Sequence, residues 1–549
     1  MPDKVRREKV ISRGGLISNE NHLDLSDNEP GAATRLINYE PSLFGGYRRI
    51  DGYVAFEENY AEVNDNLNSA EGKVLCVAMY RNEELGNPFV IAARKDTGAN
   101  TYSFWRNIPL VGWDKITTGF TRSMTIGSRS VTKLRFVQSE FGGKSVIVFV
   151  DGVNPAITFD GTNWKEILTT GTGTSSSPGG DQAIARPAIV DVFKDHLFLG
   201  GDRGSLSTFA HSAPSDYLNW TTAAGAGQIA AGMNVVQIKP FRDNLFVFGA
   251  NGIKKVSTDS DPTVGFTIEP VTANVGCIAR DSVMEIGGDL VFLAPDGLRP
   301  VAGTSRIGDV EIETISKPVQ GRILELIEEY DLDTLNAVVI RSKSQVRYFF
   351  GDSTGNIDDN EGLLAGLTDV GGTIEWTYSD LQGIRASCTT SEYVGREELV
   401  LHGDYDGKVY RQEQGSSFDG RDIVAVYSTP YLDFGDTGSK KVLHSINTFI
   451  RAEGPLTLGL SLSYDWGDPN TARPTGNIQT SFGVPVVFGG RNITYGTDDV
   501  VYGGASKPVM VSRVQGSGYS VRVTYVSVGQ DASYSIQGLV IAYQEGGQR

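Results

Sequence analysis

Asp195-His-Leu-Phe-Leu-Gly-Gly-Asp-Arg-Gly204 decides the fold. A short apolar run stands between turn residues, too short for a helix and bounded as a strand is bounded. The same phrase returns as Asp243-Asn-Leu-Phe-Val-Phe-Gly-Ala-Asn-Gly252, as Asp289-Leu-Val-Phe-Leu-Ala-Pro-Asp-Gly297 and as Glu398-Leu-Val-Leu-His-Gly-Asp-Tyr-Asp-Gly407. Each copy reads as a strand, a Gly/Asp turn and a return strand. A period of roughly 40–50 residues in an all-β chain is the spacing of propeller blades, one four-stranded sheet each. Extended both ways, it predicts about six or seven blades between Val74 and Tyr427. The competing reading is a β-sandwich whose hairpins happen to look alike.

Outward from the repeat the pattern changes twice. Residues 1–68 show little periodicity and read as an extended N-terminal arm. Residues 69–427 are the propeller. Residues 428–549 carry longer alternating strands, at Leu456–Tyr464 and Tyr519–Val526, and read as a C-terminal β-sandwich with a Gly-rich loop at 477–506. One segment has helical rather than strand spacing. Ser316 is placed as a cap, Pro318 falls in the first turn, and Ile323, Leu324 and Ile327 make an apolar stripe, which predicts a short helix near 317–329.

Composition bounds the function. The chain has 549 residues with 66 glycines, far more than the usual ~7%, and they are scattered between apolar runs as turn residues are. The net charge of −17 disfavours tight gripping of DNA phosphates, which draws its affinity from Lys and Arg. Cys76, Cys277 and Cys388 are far apart and odd in number, so neither a disulfide framework nor a zinc site is expected. No apolar run approaches the ~20 residues of a membrane span, and the basic N-terminus lacks the apolar core of a secretory signal. The expectation is a protein that stays in the cell that made it or leaves by lysis.

Reaction machinery appears only in fragments. Gly142-Gly143-Lys144-Ser145 looks like the end of a phosphate-binding loop, but Gln138 stands where the first glycine belongs, so it reads as a hairpin turn. Gly225-Ala-Gly-Gln-Ile-Ala230 reads as a flexible turn. His22, His196, His211, His402 and His444 have no ligand spacing and are expected at surfaces and turns. The acidic run Asp352, Asp358, Asp359 and Glu361 is expected to be a solvated loop. Thr158-Phe-Asp160-Gly-Thr-Asn-Trp164 resembles the Asp-box turn of sialidase-type propellers, one residue short. In it the aspartate caps backbone N–H groups and the tryptophan packs on a neighbouring blade. No facing carboxylate pair of the kind a glycosidase needs can be singled out. The expectation is a non-enzymatic chain with no catalytic, cofactor-binding or metal-binding residues and no cofactor.

The N-terminal residues carry a family likeness. Gly14-Gly15-Leu16, Asn19, Leu23-Asp24-Leu25, Glu29-Pro30-Gly31-Ala32, Asn38-Tyr39, Gly45-Gly46-Tyr47-Arg48-Arg49 and Gly52-Tyr53 occur in an order that resembles the opening of tail nozzle proteins from short-tailed bacteriophages, the podoviruses. Ser212-Ala-Pro-Ser-Asp216-Tyr-Leu-Asn-Trp220, the helix start at Ile315–Gly321 and the closing Ser535-Ile-Gln-Gly-Leu-Val-Ile-Ala-Tyr543 are similar to family segments too. The resemblance implies a structural propeller subunit of a virion tail, assembled in the host cytoplasm. It implies six copies in a ring below the adaptor and portal, with the adaptor as partner and tail fibres or a tail needle as further neighbours. The genome would be retained and then pass without tight binding. On that reading the channel wall is expected to be net acidic, with Glu57, Glu58, Asp352, Asp358 and Asp359 near candidate loops. The alternative is a propeller-type glycan-binding protein or glycoside hydrolase.

Overall fold

The computed structural model describes residues 5–42, 44–56, 72–81, 89–108, 112–258, 265–301, 314–351, 360–370, 373–454, 456–465, 478–482 and 509–546. The chain is nearly all β, and six small sheets form a six-bladed propeller. Successive blades begin with inner strands Val74–Tyr80, Arg135–Phe141, Ile189–Phe193, Val235–Phe241, Met284–Ile286 and Cys388–Val394. The quoted repeat is the second strand of a blade: His196–Gly200, Asn244–Gly249, Asp289–Ala294 and Glu397–Gly403. Each second strand lies between two partners within its sheet. Neighbouring blades cover both faces, so Leu197, Phe198, Leu199, Leu245, Val247, Phe248, Leu290 and Phe292 are all buried. That double cover explains the unbroken apolar run where an alternating one would suffice for a one-sided sheet.

Tight turns set the register of these hairpins. Gly142-Gly143 joins Phe141 to Lys144 with both φ values positive, 56° and 79°, as a two-residue turn of the primed type requires. Lys194-Asp195 makes the same turn at φ 47° and 60° between Phe193 and His196. The phosphate-loop look-alike is thus a hairpin turn, as expected.

Between the fifth and sixth blades the chain enters a nine-stranded sheet. Its edge strand, Asn336–Ile340, contacts the inner strands of both blades and fills the gap in the ring. This sheet packs against a seven-stranded sheet built from Arg6–Ile11, Tyr39–Pro41 and Tyr47–Arg49 together with Lys441–Ala452, Val509–Arg513, Ser517–Gly518 and Tyr534–Glu545. Leu458, Leu460 and Tyr525 of the larger sheet meet Ile446, Leu539 and Ile541 of the smaller in one core. Both sheets of the sandwich therefore draw strands from outside 428–549. Residues read as the arm supply Arg35–Ile37 to the larger sheet, and Tyr53–Ala55 becomes the outer strand of the sixth blade.

The predicted helix is present as a 3-10 turn, Lys317–Val319, running into Gln320–Glu329. Its cap is not Ser316, whose hydroxyl instead accepts from the Leu298 amide at 2.9 Å. Asn19, some three hundred residues upstream, accepts from the Gly321 amide at 2.9 Å and donates to the Lys317 carbonyl. Ile323 and Leu326 face the core, whereas Leu324 is 38% exposed. A second helix, His22–Asn28, lies in the segment read as extended, started by Asn21, whose side chain accepts from the Leu23 amide. Seven residues are too few to show a helical period.

Candidate functional site

The inner strands enclose an axial cavity of about 390 Å³. Because side chains alternate along a strand, each inner strand sends every second residue toward the axis. Charged residues on these strands or just ahead of them meet at the cavity. Arg135 grips Asp281 through two bonds, Nε at 2.8 Å and Nη2 at 2.7 Å. Lys133 reaches the same carboxylate at 2.9 Å and also donates to Asn336 Oδ1 at 2.7 Å and the Leu335 carbonyl at 2.5 Å. This group ties the second blade to the start of the fifth and to the nine-stranded sheet. A second pair, Lys239 with Asp191 at 3.1 Å, links the fourth blade to the third.

Electrostatics follow from that pairing. Burial pushes the Asp281 carboxyl up, but Arg135 and Lys133 overcome it and hold the group well below the usual carboxylate range. Asp191 raises the Lys239 ammonium above its ordinary value against burial. Cys76 and Cys388 border the cavity, and burial raises both thiols, Cys388 to about 11. Thiols so raised stay protonated at neutral pH and are poor nucleophiles. An aspartate with two cations on it is a poor base. The axis is built as a tie between blades.

A larger cavity of about 740 Å³ opens at the rim between the first two blades and brings together two segments that the sequence singled out. Gly143, Lys144 and Ser145 line one side, and Asp160, Thr162 and Asn163 another. Asp160 accepts from the Thr162 and Asn163 amides at 3.1 and 2.7 Å, so it is the turn-capping aspartate expected. Trp164 stacks on Phe159, ring centroids 4.6 Å apart, and reaches Phe104 of the adjoining blade at 4.8 Å. Ser145 and Gln138 are spent on Arg81, and Arg81 on Glu392.

The histidines divide. His22 and His211 are part-buried and His444 is exposed. His196 and His402 are buried rather than at a surface, because both fall on second strands of blades. Burial pushes His402 down to about 3, and its ring packs against Tyr53 and Tyr410. Of the acidic run, Glu361 pairs with Arg322 at 2.8 Å. Asp352, Asp358 and Asp359, like Glu57 and Glu58, lie outside the described residues, as does most of 477–506.

Sequence reasoning missed one carboxylate cluster. Glu40, Asp51 and Glu413 bring oxygens within 4.8 Å of one another. The protein's own cations occupy it. Glu40, 2% exposed, takes Lys343 at 2.7 Å, Arg48 at 2.9 Å and Arg347 at 3.3 Å. Arg48 also holds Asp51 at 2.8 Å, and Glu413 takes Arg347 at 2.6 Å and Lys343. Arg48 holds Glu453 as well, at 2.7 Å, so four carboxylates and three cations make the cluster a salt-bridged clasp. Only Arg48 had drawn notice, within the N-terminal motif; the partners at 343–347 and 413 are too distant in sequence to be foreseen.

No known protein family matches this chain, and no curated protein matches its sequence.

Proposed function

We propose that this protein is a structural subunit of a short-tailed phage's tail nozzle, repeated around a DNA channel below the adaptor and portal. One observation carries the reading: the residues behind the resemblance are those that lock the N-terminal segment into both parts of the fold. Arg49 is fully buried and donates to the Asp531, Ser416 and Gly529 carbonyls at 2.8, 3.1 and 2.7 Å. Tyr47 donates its hydroxyl to the Arg13 carbonyl at 2.7 Å and the Gly31 carbonyl at 2.9 Å, and accepts from the Gly15 amide. A side chain at Gly31 would run into the Ile11 carbonyl, and one at Gly46 into the Ile536 carbonyl. The motif therefore describes how a propeller and a sandwich are fastened together, and a likeness in it is a likeness in that fastening.

On this reading DNA passes outside the axial cavity. At about 390 Å³ it has the size of a small-molecule pocket and is crossed by ion pairs. The channel of this reading therefore runs between copies, and its wall is their outer surface, net acidic as the −17 charge suggests. The test is electron microscopy of the purified particle that contains the protein. A closed ring of copies with an acidic lumen is expected; a lone copy, or a lumen lined by Lys and Arg, overturns the reading. The glycan-binding alternative has the polar rim cavity in its favour. Binding to an oligosaccharide array that is lost on Lys144→Ala or Asn163→Ala would select it instead.

A further inference from the structure

The outer face of the seven-stranded sheet carries a charge opposite to that of the chain. Strands Arg6–Ile11, Tyr534–Glu545, Lys441–Ala452 and Val509–Arg513 lie side by side there, and their registers place outward positions in cross-strand rows. Val10, Leu539, Thr448 and Met510 point inward and are buried, so their neighbours along each strand point out.

Exposed apolar residues share this outer face with cations. Val511 is 65% exposed, Ile11 47% and Phe449 38%, with part-buried Val540 between them. The cations stand on the same rows. Arg7 and Arg513 end one row, Lys9 closes the next, and Arg451 flanks the third with its guanidinium 3.5 Å from the centre of the exposed Phe44 ring. All four cations are exposed, and none makes an ion pair among the described residues. No Asp or Glu stands on these rows. A chain of net charge −17 thus keeps one face whose outward rows carry no acid, and the rest of it is more acidic than the whole.

We infer that this face is a docking surface, and that its occupant is an acidic surface of another copy of the chain. Exposed aliphatic and aromatic side chains set among arginines suit a protein–protein contact, where aromatic residues and Arg are enriched. A phosphate reader would gain nothing from the exposed Val511, Ile11 and Phe449, because its affinity scales with phosphates neutralised. A two-fold contact would set these cations against their own images, so the copies meet head to tail, positive face on negative. Repeated head-to-tail contacts close into a ring when the rotation permits. The inference rests on the ring reading above and names the surface that makes it. It also leaves the acidic remainder of each copy to face the channel.

The experiment compares the full chain with Arg7→Glu/Lys9→Glu/Arg513→Glu and with Val511→Asp, using native mass spectrometry and light scattering. Arg203→Glu, an exposed cation on the third blade, is the control, and equal melting temperatures show that all variants fold. The wild type and the control should oligomerise, less so when salt rises from about 0.05 to about 0.5 M. The triple variant should weaken association by roughly 100-fold, and Val511→Asp by a smaller factor. If the triple variant oligomerises like the wild type, this face is not the contact, while the ring reading stands. If the wild type stays monomeric at every concentration tested, both fall. If the wild type instead retards duplex DNA and the triple variant does not, the occupant is nucleic acid and the inference is overturned.

Discussion

The propeller and the sandwich solve the same problem, burying β-sheets against one another, by opposite means. In the second blade Arg135–Phe141, Lys144–Val150, Ile157–Phe159 and Trp164–Glu166 pair in chain order through short turns. Each contact closes a short loop and costs little entropy. In the sandwich Arg6–Ile11 pairs with residues 538–543, and Arg35–Ile37 pairs with both 423–428 and 373–382. Those contacts close loops of hundreds of residues and need stronger fastening. The buried clasp of Glu40, Arg48, Asp51, Lys343, Arg347 and Glu413, and Arg49 beside it, stand at this seam. Turns specify the local half, and buried charge specifies the distant half.

Breaking the clasp should have the largest effect. Glu40→Gln leaves the buried Arg347 and the part-buried Lys343 and Arg48 with one partner fewer, at a cost of about 3–5 kcal/mol. Chemical denaturation should show the sandwich unfolding first; a loss below about 1 kcal/mol would remove the clasp from this account.

The two regions should also respond to pH with opposite signs. Burial pushes Glu413 up, but Arg347 and Lys343 outweigh it and hold the carboxyl at about 2, against 4.5 for a free glutamate. A depressed carboxyl stabilises the fold above its unfolded value and loses that contribution as pH falls, here from 4.5 toward 2. In the sixth blade, burial raises Asp404 to about 6 from 3.8, although it accepts from the Asp406 and Lys408 amides. A raised carboxyl binds its proton more tightly when folded, so stability falls as pH rises from 3.8 to 6. Asp404→Asn should abolish the second trend and leave the first. If the variant's stability still falls over that upper window, Asp404 is not its source.

Smaller effects separate local caps from distant ones. Asn19→Ala removes the cap donated across the chain to Gln320–Glu329 and should cost about 1 kcal/mol. Asp160→Ala removes a cap within its own turn and should cost about 0.5–1.5 kcal/mol. Hydrogen exchange should distinguish them. Asn19→Ala loosens both the helix and the N-terminal segment, whereas Asp160→Ala loosens the second blade alone; identical protection maps would erase the distinction between regions.

How much of the molecule was legible follows the same division. Alternating apolar runs, Gly and Asp turns and a repeat near 195, 243, 289 and 398 are written in neighbouring residues. They determined an all-β propeller, the hairpin at Gly142-Gly143, the aspartate cap at Asp160 and the helix near 317–329. The seam was not legible. Nothing near Glu40 announces Lys343 or Glu413, nothing near Ser316 says that Asn19 will cap the helix in its place, and nothing in Asp281 points to Lys133. The outward rows of the seven-stranded sheet were invisible for the same reason, since they juxtapose residues 7, 513 and 451. Local order is fixed by backbone geometry and side-chain alternation over a few residues, which a sequence displays. Partners across the fold are fixed by which buried charges and unpaired backbone groups must be satisfied once the sheets close, and only the tertiary structure decides that.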